Sequence, residues 1–548
     1  MANVKINRKI FEKEIGTLDE KMQERIAMFG TPIEDITNEE LQIEISPNRP
    51  DLLSYHGYKR SFIAFLGKEK GLKRYKVNPP KKGYQVIIDS SVKNIRPFTA
   101  CAIVTNLKLD DQKIKEIIDL QEKLHLTLGR KRKKMALGIY PLEKIKLPIE
   151  YKALEPDQIK FIPLESEKEM SGLEILQKHP AGKEYCHLLA GKAKFPIFID
   201  ADGKILSMPP IINSQLTGKV TEETKDVFIE CSGFDLETLK KCLNIIVTAL
   251  ADMGGNIYQM ELKYPKKEIT PDLSPDKIKM SIEKINKILG LDLKEKEIKN
   301  LLEKMGHDYQ NKIVEFPSWR IDILHEVDIA EEVAIAYGYE NFKEELPKIS
   351  TIGKEDKKEV IKRKISEILA GLGMLETSNY HLTNKNDQFL KMGSQEKQRK
   401  DFIEVKESKT DYNILRNNLT HYTLKIFSEN VDSEYPQKIF ELGKVFKNEE
   451  EEIFELEKLC SAISPGNFTE IRQIIEYLSK MIDLPLTIKE SNNFPVWFIE
   501  GRVADVILNG KIIGHIGEIH PKVLKNWKIR MPVSLFEIDV EEIFKRLI

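Results

Sequence analysis

The chain has 548 residues, of which 41% are hydrophobic and 32% are charged. This length is more than one hydrophobic core usually organises, and it predicts about three to five domains. The 86 lysines and arginines nearly balance the 87 aspartates and glutamates, giving a formal net charge of −1. This balance excludes a globally basic nucleic-acid coat but permits local basic patches.

Neither a membrane segment nor an export signal is indicated by the sequence. No apolar run approaches the ~18 residues that a membrane helix needs, and Met1–Lys5 does not begin an apolar signal segment. The five cysteines are scattered without a C-x-x-C pair, which fits neither a disulfide framework nor a zinc ribbon. We therefore expect a soluble, cytoplasmic protein that does not contact a membrane.

Three stretches rich in proline, glycine and charged residues divide the chain, at residues 78–83, 264–275 and 344–358. Such stretches do not continue a helix or a central strand. They predict four segments, which are 1–80, 81–267, 268–346 and 347–548.

The first two segments differ in their predicted elements. In the first, the alternation of Gln42–Ile45 predicts a short strand, and a turn at residues 46–50 leads into a helix. The second is rich in strands and ends in an amphipathic helix over about 236–253. Its predicted strands lie at 84–88, 101–104, 135–139 and 226–231.

The third and fourth segments complete a predicted α+β fold. Ser274-Pro275 predicts the start of a helix that carries Ile278 and ends at Gly290. A second helix over 298–305 and a strand over 312–316 follow, which together are typical of a winged-helix-like module. In the last segment, a helix over 360–372 precedes an antiparallel sheet, since Asn509-Gly510 flanked by apolar runs is a hairpin signal.

Four carboxylates are candidates for a metal site. Asp328, Glu331 and Glu332 share one face of a helix by their spacing, and Asp322 lies shortly before it. Oxygen donors without a cysteine suit Mg²⁺ better than Zn²⁺. The alternative is structural, because Asp328-x-x-Glu331 also has the pattern of a capping box and acids are favoured in the first turn of a helix.

A run of five cations, Arg130–Lys134, is a candidate contact for nucleic acid. Together with Lys144 and Lys146 it could follow a phosphate backbone. The alternative is an exposed loop whose charges are solvated.

Small polar residues in apolar surroundings indicate a pocket for a small molecule. They flank a stiff Pro209-Pro210 wall and a strand near residue 230. The alternative is that their hydroxyls cap strand ends. The residues are Ser207, Asn213, Glu230 and Ser232. The sequence has no P-loop, no G-x-G-x-x-G after a strand and no G-x-S-x-G element, so it gives no support for those chemistries.

Several short motifs follow one another along nearly the whole chain. The first is the stretch Ile45–Ser54, and the others are Ile211–Ser214, Phe316–Ile323, Ala336–Tyr339, Leu415–Leu419, Ile439–Phe446 and Ile516–Pro521. In this order they resemble the beta subunits of phenylalanyl-tRNA synthetase, in particular the shorter archaeal and eukaryotic type. The first stretch is similar to that family's N-P-N-R-P-D-x-x-S segment.

The resemblance implies a role for each of the four segments. It implies a mixed, B1-like domain over 1–80 and a strand-rich editing domain of B3/B4 type over 81–267. It implies a winged-helix-like, magnesium-binding B5 domain over 268–346, whose ligands match Asp322, Asp328, Glu331 and Glu332. Residues 347–548 resemble a class II synthetase core that is catalytically inactive.

The resemblance also implies a partner-dependent enzyme. The family forms a cytoplasmic α₂β₂ heterotetramer that joins phenylalanine to tRNA(Phe), using ATP and Mg²⁺, with the aminoacylation site on the alpha subunit. This chain agrees, because it shows no recognisable class II motif 3 element near its C-terminus. We therefore expect no catalytic residue for aminoacylation on this chain.

Editing is the hydrolytic activity that the resemblance assigns to the second segment. A cavity made for phenylalanine cannot perfectly exclude a ring with one extra hydroxyl, whereas a second site with a buried acceptor can select tyrosine. Glu230 is the expected acceptor, Ser207 and Ser232 are expected to line the pocket and position water, and Asn213 lies nearby. Archaeal-type editing sites often carry Asp and Thr in place of Glu230 and Ser232. The alternative function is a tRNA-binding scaffold subunit that does not edit.

Overall fold

The computed structural model describes residues 2–347, 351–394, 402–406, 408–449 and 452–548. The chain forms two compact units, Met1–Leu346 and Pro347–Ile548. Both units combine sheets with helices, which confirms the predicted α+β class. In the described part of the chain, every helix is too short or too polar to span a bilayer.

The first unit begins with a small three-stranded sheet in the order β1-β3-β2, in which the alternating strand predicted at Gln42–Ile45 is the central one. Its alternate side chains Leu41, Ile43 and Ile45 are buried, as expected for a sheet with one face on the core. The elements are β1 (Ala2–Asn7), α1 (Arg8–Glu14), α2 (Glu20–Met28), β2 (Ile33–Ile36), β3 (Glu40–Ile45) and α3 (Tyr55–Phe65).

An 11-stranded mixed sheet dominates the first unit. Its path is β13-β12-β11-β8-β5-β15-β6-β14-β7, and β4 and β16 also pair with β15. The strands are β4 (Val77–Asn78), β5 (Gln85–Ile88), β6 (Phe98–Thr105), β7 (Met135–Pro141), β8 (Ile149–Leu154), β11 (Phe195–Ile199), β12 (Ile205–Met208), β13 (Ile212–Asn213), β14 (Val227–Gly233), β15 (Asn256–Lys263) and β16 (Glu268–Thr270). A separate two-stranded sheet pairs β9 (Lys160–Phe161) with β10 (Met170–Ser171). The helices of this region are α4 (Asp111–Leu126), α5 (Gly172–Lys178), α6 (Pro180–Tyr185) and α7 (Leu236–Asp252).

The two ends of this sheet curl toward each other. Tyr140, on the terminal strand β7, is within hydrogen-bond distance of Ser207 on β12, near the opposite end of the path. Aromatic side chains fill the space between, and Tyr151 stacks on Phe198 with ring centroids 4.4 Å apart. The curl therefore places polar residues from distant parts of the chain around one interior space.

A three-stranded sheet and three helices end the first unit. They are β17 (Asp276–Lys279), α8 (Ile282–Leu289), α9 (Glu295–Lys304), β18 (Asp308–Gln310), β19 (Ile313–Phe316) and α10 (Glu326–Tyr337). The helix predicted to start at Ser274-Pro275 is wrong, because Asp276–Lys279 pairs with β19 and the helix begins after its N-cap, Ser281. Ile278, which the sequence placed on that helix, lies opposite Val314 in the strand pairing and is therefore part of β17.

The second unit is built on a seven-stranded sheet in the order β20-β23-β24-β28-β27-β26-β25. The hairpin predicted at Asn509-Gly510 is confirmed, since these two residues join β26 to β27. The elements are α11 (Lys357–Gly371), β20 (Leu375–Glu376), β21 (Leu382–Thr383), β22 (Ile414–Leu415), α12 (Thr420–Glu429), β23 (Gln437–Glu449), β24 (Glu452–Ser464), α13 (Phe468–Met481), β25 (Leu486–Glu490), β26 (Phe498–Leu508), β27 (Lys511–Ile519), α14 (Pro521–Asn526), β28 (Ser534–Asp539) and α15 (Glu541–Leu547).

Candidate functional site

Three of the four predicted pocket residues meet inside the curled sheet. Ser207 on β12 pairs with Asn213 on β13. Glu230 lies on β14, between Cys101 of β6 and Gly138 of β7. Ser207 and Glu230 are almost completely buried, whereas Asn213 is partly exposed. The site is therefore an interior cluster that reaches the surface at Asn213.

The side chain at the centre of this cluster is Tyr140. Its hydroxyl oxygen lies 2.8 Å from Ser207 Oγ, 3.3 Å from Asn213 Oδ1 and 3.2 Å from Glu230 Oε1. A phenol hydroxyl has one donor and two acceptor positions, so three partners are satisfied together only if two of them donate to it. The Ser207 hydroxyl and a protonated Glu230 can both donate, while the Asn213 oxygen accepts.

The burial of Glu230 favours its protonated form. Burial raises the pKa of Glu230 to about 8, although the charge of Arg96 and the hydrogen bond with Tyr140 act in the opposite direction. Its second carboxyl oxygen, Oε2, is buried and has no hydrogen-bond partner among the described residues. At neutral pH the site therefore contains a neutral carboxylic acid with one unused oxygen.

Ser232 is separate from the Tyr140 hydroxyl. Its Oγ accepts a hydrogen bond from Arg96 Nε at 3.2 Å, and its carbonyl oxygen accepts one from Arg96 Nη2 at 2.6 Å. Arg96 is itself almost fully buried. The structure thus places Ser232 on an arginine beside Glu230 and not on the phenol.

The four candidate metal ligands lie around Arg320 and the start of α10. Arg320 binds both oxygens of Asp322, at 2.8 and 2.7 Å, and both oxygens of Glu332, at 3.0 and 2.7 Å. His307 Nε2 also lies 2.8 Å from Glu332. Burial alone would raise the pKa of Glu332, but Arg320 and His307 hold it well below its usual range. An internal cation therefore already neutralises two of the four carboxylates.

The other two carboxylates are nearer the surface. Asp328 Oδ2 accepts hydrogen bonds from the backbone N–H groups of Leu324 and His325, both at 2.7 Å. Asp328 is thus the N3 residue of a capping box whose N-cap is His325, and not the N-cap of the Asp328-x-x-Glu331 box that the sequence left as an alternative. Glu331 is exposed. Over the described ranges, no three acidic, histidine or cysteine side chains are placed to hold a metal ion by themselves, so the magnesium set stays a prediction.

Comparison with known proteins identifies the family. Residues 87–244 match the family model described as the B3/4 domain, and residues 278–339 match the tRNA synthetase B5 domain. Residues 342–540 match the phenylalanyl tRNA synthetase beta chain CLM domain. The phenylalanine–tRNA ligase beta subunit of Thermococcus sibiricus is 41% identical over 509 residues, covering 91% of this chain and 90% of that protein. This chain belongs to the phenylalanine–tRNA ligase beta subunits.

Further relatives agree with this assignment and confirm the resemblance seen in the sequence. The beta subunit of Archaeoglobus fulgidus is 38% identical over 539 residues and covers 97% of each chain. Among solved structures, an N-terminal fragment of the Pyrococcus horikoshii beta subunit is 40% identical, with a TM-score of 0.59. That match covers 61% of this chain and 99% of the fragment.

The basic run of this beta subunit is held beside the pocket wall by Arg132. Its Nη1 donates to the carbonyl oxygen of Ile211 at 2.8 Å, and its Nη2 lies 3.0 Å from Glu122 Oε1. Ile211 lies in the connection between Ser207 and Asn213. The other four cations of the run are exposed. Lys144 and Lys146 are engaged elsewhere, with the carbonyl oxygen of Lys219 and with Asp202.

Tyr140 is the site residue that the sequence did not single out. It lies two residues after Gly138, on the same face of β7, and an ideal Cβ at position 138 would be 2.2 Å from the Tyr140 hydroxyl. A glycine two residues before a tyrosine in an apolar strand is therefore the local signal that a ring lies across that strand. Its partners could not be predicted, because they come from the opposite end of the sheet.

Proposed function

We propose that this chain is the beta subunit of a cytoplasmic phenylalanine–tRNA ligase of α₂β₂ type, which attaches phenylalanine to tRNA(Phe) using ATP. The alpha subunit carries the aminoacylation site, and this chain supports assembly and tRNA binding. Family membership over nine-tenths of the chain supports the proposal, as does the CLM match over 342–540.

We further propose that the curled sheet holds an editing site that hydrolyses Tyr-tRNA(Phe). The observation that supports this proposal is the convergence of Ser207, Asn213 and Glu230 on a single phenolic hydroxyl. A site built to hydrogen-bond a hydroxyl rejects the analogue that lacks it, because its buried polar groups are then left without partners. Such a site accepts tyrosine and spares phenylalanine.

In this proposal the polar residues have different tasks. Glu230 and Ser207 bind the phenol hydroxyl of the tyrosyl group. Ser232, whose Oγ and carbonyl oxygen are bound by the buried Arg96, positions the attacking water. Water attacks the ester carbonyl carbon, the bond to the ribose oxygen breaks and a proton of the water passes to that oxygen, so that tyrosine and free tRNA are released.

The second candidate is a beta subunit that binds tRNA but does not edit. One observation favours it, namely that the chain's own Tyr140 is fully buried in the place that a substrate ring would take. In that case the polar cluster is a remnant whose partner has become part of the core.

Hydrolysis of Tyr-tRNA(Phe) by the purified tetramer distinguishes the two functions. We expect the wild-type complex to release tyrosine and to leave Phe-tRNA(Phe) intact, and Glu230→Ala to lose most of this activity. Aminoacylation with phenylalanine is the control, since it takes place on the alpha subunit and should not change. Equal tyrosine release by wild type and Glu230→Ala would remove Glu230 as the acceptor, and no release by either would favour the scaffold function.

Mg²⁺ belongs to this proposal as the cofactor of the ligase complex. On this chain the proposed ligands are Asp322, Asp328, Glu331 and Glu332. Their concentration of negative charge supports the assignment, because burial and the neighbouring carboxylates together raise the pKa of Glu331. Since these side chains do not complete a coordination sphere alone, water or the partner subunit would provide the remaining ligands.

A further inference from the structure

The pocket of the B3/4 domain already contains a phenol. Tyr140 presents the same 4-hydroxyphenyl group as a tyrosyl substrate, and its hydroxyl lies within 3.3 Å of Ser207, Asn213 and Glu230. Its ring also packs against Phe228, with centroids 5.8 Å apart. The side chain therefore makes the contacts that the proposed function assigns to the substrate.

The space for this ring depends on a missing side chain. An ideal Cβ on Gly138 would lie 2.2 Å from the Tyr140 hydroxyl oxygen and 2.6 Å from Cζ of the ring. Such contacts are far inside van der Waals distance, so the ring can take this position only above a glycine. The Tyr140 position is thus specified by two residues of β7, and a single methyl group at position 138 would expel the ring.

Core packing alone does not explain the polar groups around the ring. A phenylalanine core would need neither a buried carboxyl group nor a buried serine hydroxyl, and burying such groups costs free energy unless they are fully hydrogen-bonded. Yet Glu230, which is 2% exposed, keeps one oxygen without a partner even when Tyr140 is in place. The site therefore has more hydrogen-bonding capacity than its resident side chain uses.

We propose that Tyr140 is an internal ligand of this pocket, which a tyrosyl group from outside must displace. The identity of the external ligand rests on the proposed editing function, whereas the occupancy by Tyr140 does not. The entry side is marked by Asn213, which is the partly exposed member of the three polar partners. Tyr140 thereby sets the threshold for entry, because only a group that replaces its contacts can take its place.

This competition has a measurable size. When only a fraction f of the molecules is competent to bind, the apparent affinity is the intrinsic affinity multiplied by f. Minor states of proteins are typically populated at about 0.1–10%. Removing the internal ligand should therefore increase the apparent affinity for a phenol by about tenfold or more.

The experiment uses the full-length chain purified together with its alpha subunit, with p-cresol and toluene as probes. We expect Tyr140→Ala to bind p-cresol at least about tenfold more tightly than toluene, because only p-cresol carries the hydroxyl. Tyr140→Phe is the matched control and should bind neither probe, since its ring still fills the space. Isothermal calorimetry and the shift in melting temperature measure both probes.

A second variant guards against misfolding of Tyr140→Ala. Tyr140→Ser also removes the ring and leaves Gly138 unchanged, so the space above the glycine stays open and this variant should also bind p-cresol in preference to toluene. Equal binding of the two probes by Tyr140→Ala, or binding no stronger than in Tyr140→Phe, would overturn the proposal. If Tyr140→Ala does not fold, the same result with Tyr140→Ser overturns it.

Hydrolysis of Tyr-tRNA(Phe) by the same variants separates this proposal from the editing function. Faster release of tyrosine by Tyr140→Ala than by wild type supports both. Selective binding of p-cresol without hydrolysis in any variant supports the internal ligand and contradicts editing. Hydrolysis by the wild type, combined with equal binding of p-cresol and toluene by Tyr140→Ala, contradicts the internal ligand and leaves editing in place.

Discussion

Replacing Glu230 by glutamine should make the protein more stable than the wild type, by a difference that grows as the pH rises. Burial raises the pKa of Glu230 from 4.5 to about 8, so the folded chain keeps a proton that the unfolded chain releases. The stability from this group is therefore fully present below about pH 4.5 and is lost progressively as the pH rises through about 8. Glutamine resembles the protonated form and cannot ionise, so the variant escapes this loss.

The difference between the two pKa values of Glu230 sets the size of the effect. One pKa unit corresponds to about 1.4 kcal/mol, and between pH 5 and pH 7 the wild type should lose about 2 to 3 kcal/mol relative to Glu230→Gln. This corresponds to a difference in melting temperature of roughly 5 °C. The charged and titratable groups that act on Glu230 or are acted on by it are unchanged in the variant; they are Arg96, Tyr140, Tyr151, Cys101 and Cys231.

The assay is thermal unfolding of the full-length chain, with its alpha subunit, from pH 5 to pH 9. Glu143→Gln is the matched control, because this glutamate is exposed in the same domain, and its stability difference from wild type should stay nearly constant with pH. A constant difference between Glu230→Gln and wild type over pH 5 to 8 would refute the buried, protonated carboxyl. A wild type that gains stability over Glu230→Gln with rising pH would refute it as well.

Three other perturbations address the remaining sites. Arg320→Met should destabilise the first unit by about 3–5 kcal/mol in denaturant unfolding, because it leaves the carboxylates of Asp322 and Glu332 without their cation. Arg320→Lys should not restore stability, since lysine cannot bind a carboxylate through two parallel N–H groups. Lys131→Ala with Lys133→Ala should weaken tRNA binding and reduce its salt dependence, and an unchanged slope of log affinity against log salt would exclude phosphate contacts. Asp328→Asn with Glu331→Gln should lower Mg²⁺ binding in calorimetry and weaken association with the alpha subunit, whereas tetramer assembly that is independent of Mg²⁺ would count against the site.

Local patterns predicted the elements better than they predicted the site. The helix at Leu236–Asp252 and the hairpin at Asn509-Gly510 follow from signals within a few residues. The helix start predicted at Ser274 was wrong because pairing with a strand some 35–40 residues later decided the conformation. Residue type alone indicated that Ser207 and Glu230 have polar partners in the interior, since a buried polar group in an apolar strand needs a hydrogen-bond partner.

The contacts between these residues could not be predicted without the three-dimensional course of the sheet. Tyr140 and Ser207 come together only because the sheet curls until β7 approaches β12, and no short-range pattern encodes that closure. Ser232 shows that spacing along a strand does not by itself predict which side chains share a partner. Its spacing from Glu230 puts both on one face of β14, yet Arg96 binds it and separates it from the phenol.

The destabilisation that Glu230 causes bears on the function of the pocket. A neutral carboxyl group whose second oxygen lacks a partner destabilises the fold near neutral pH, and glutamine or an apolar residue would fill the same space without ionising. A tyrosine above Gly138, with serine and asparagine at its hydroxyl, would still be a satisfied core residue without Glu230. Retaining an acid there makes physical sense if a hydroxyl must be bound reversibly, because the unused oxygen of Glu230 offers an arriving phenol a hydrogen bond before Tyr140 has fully left.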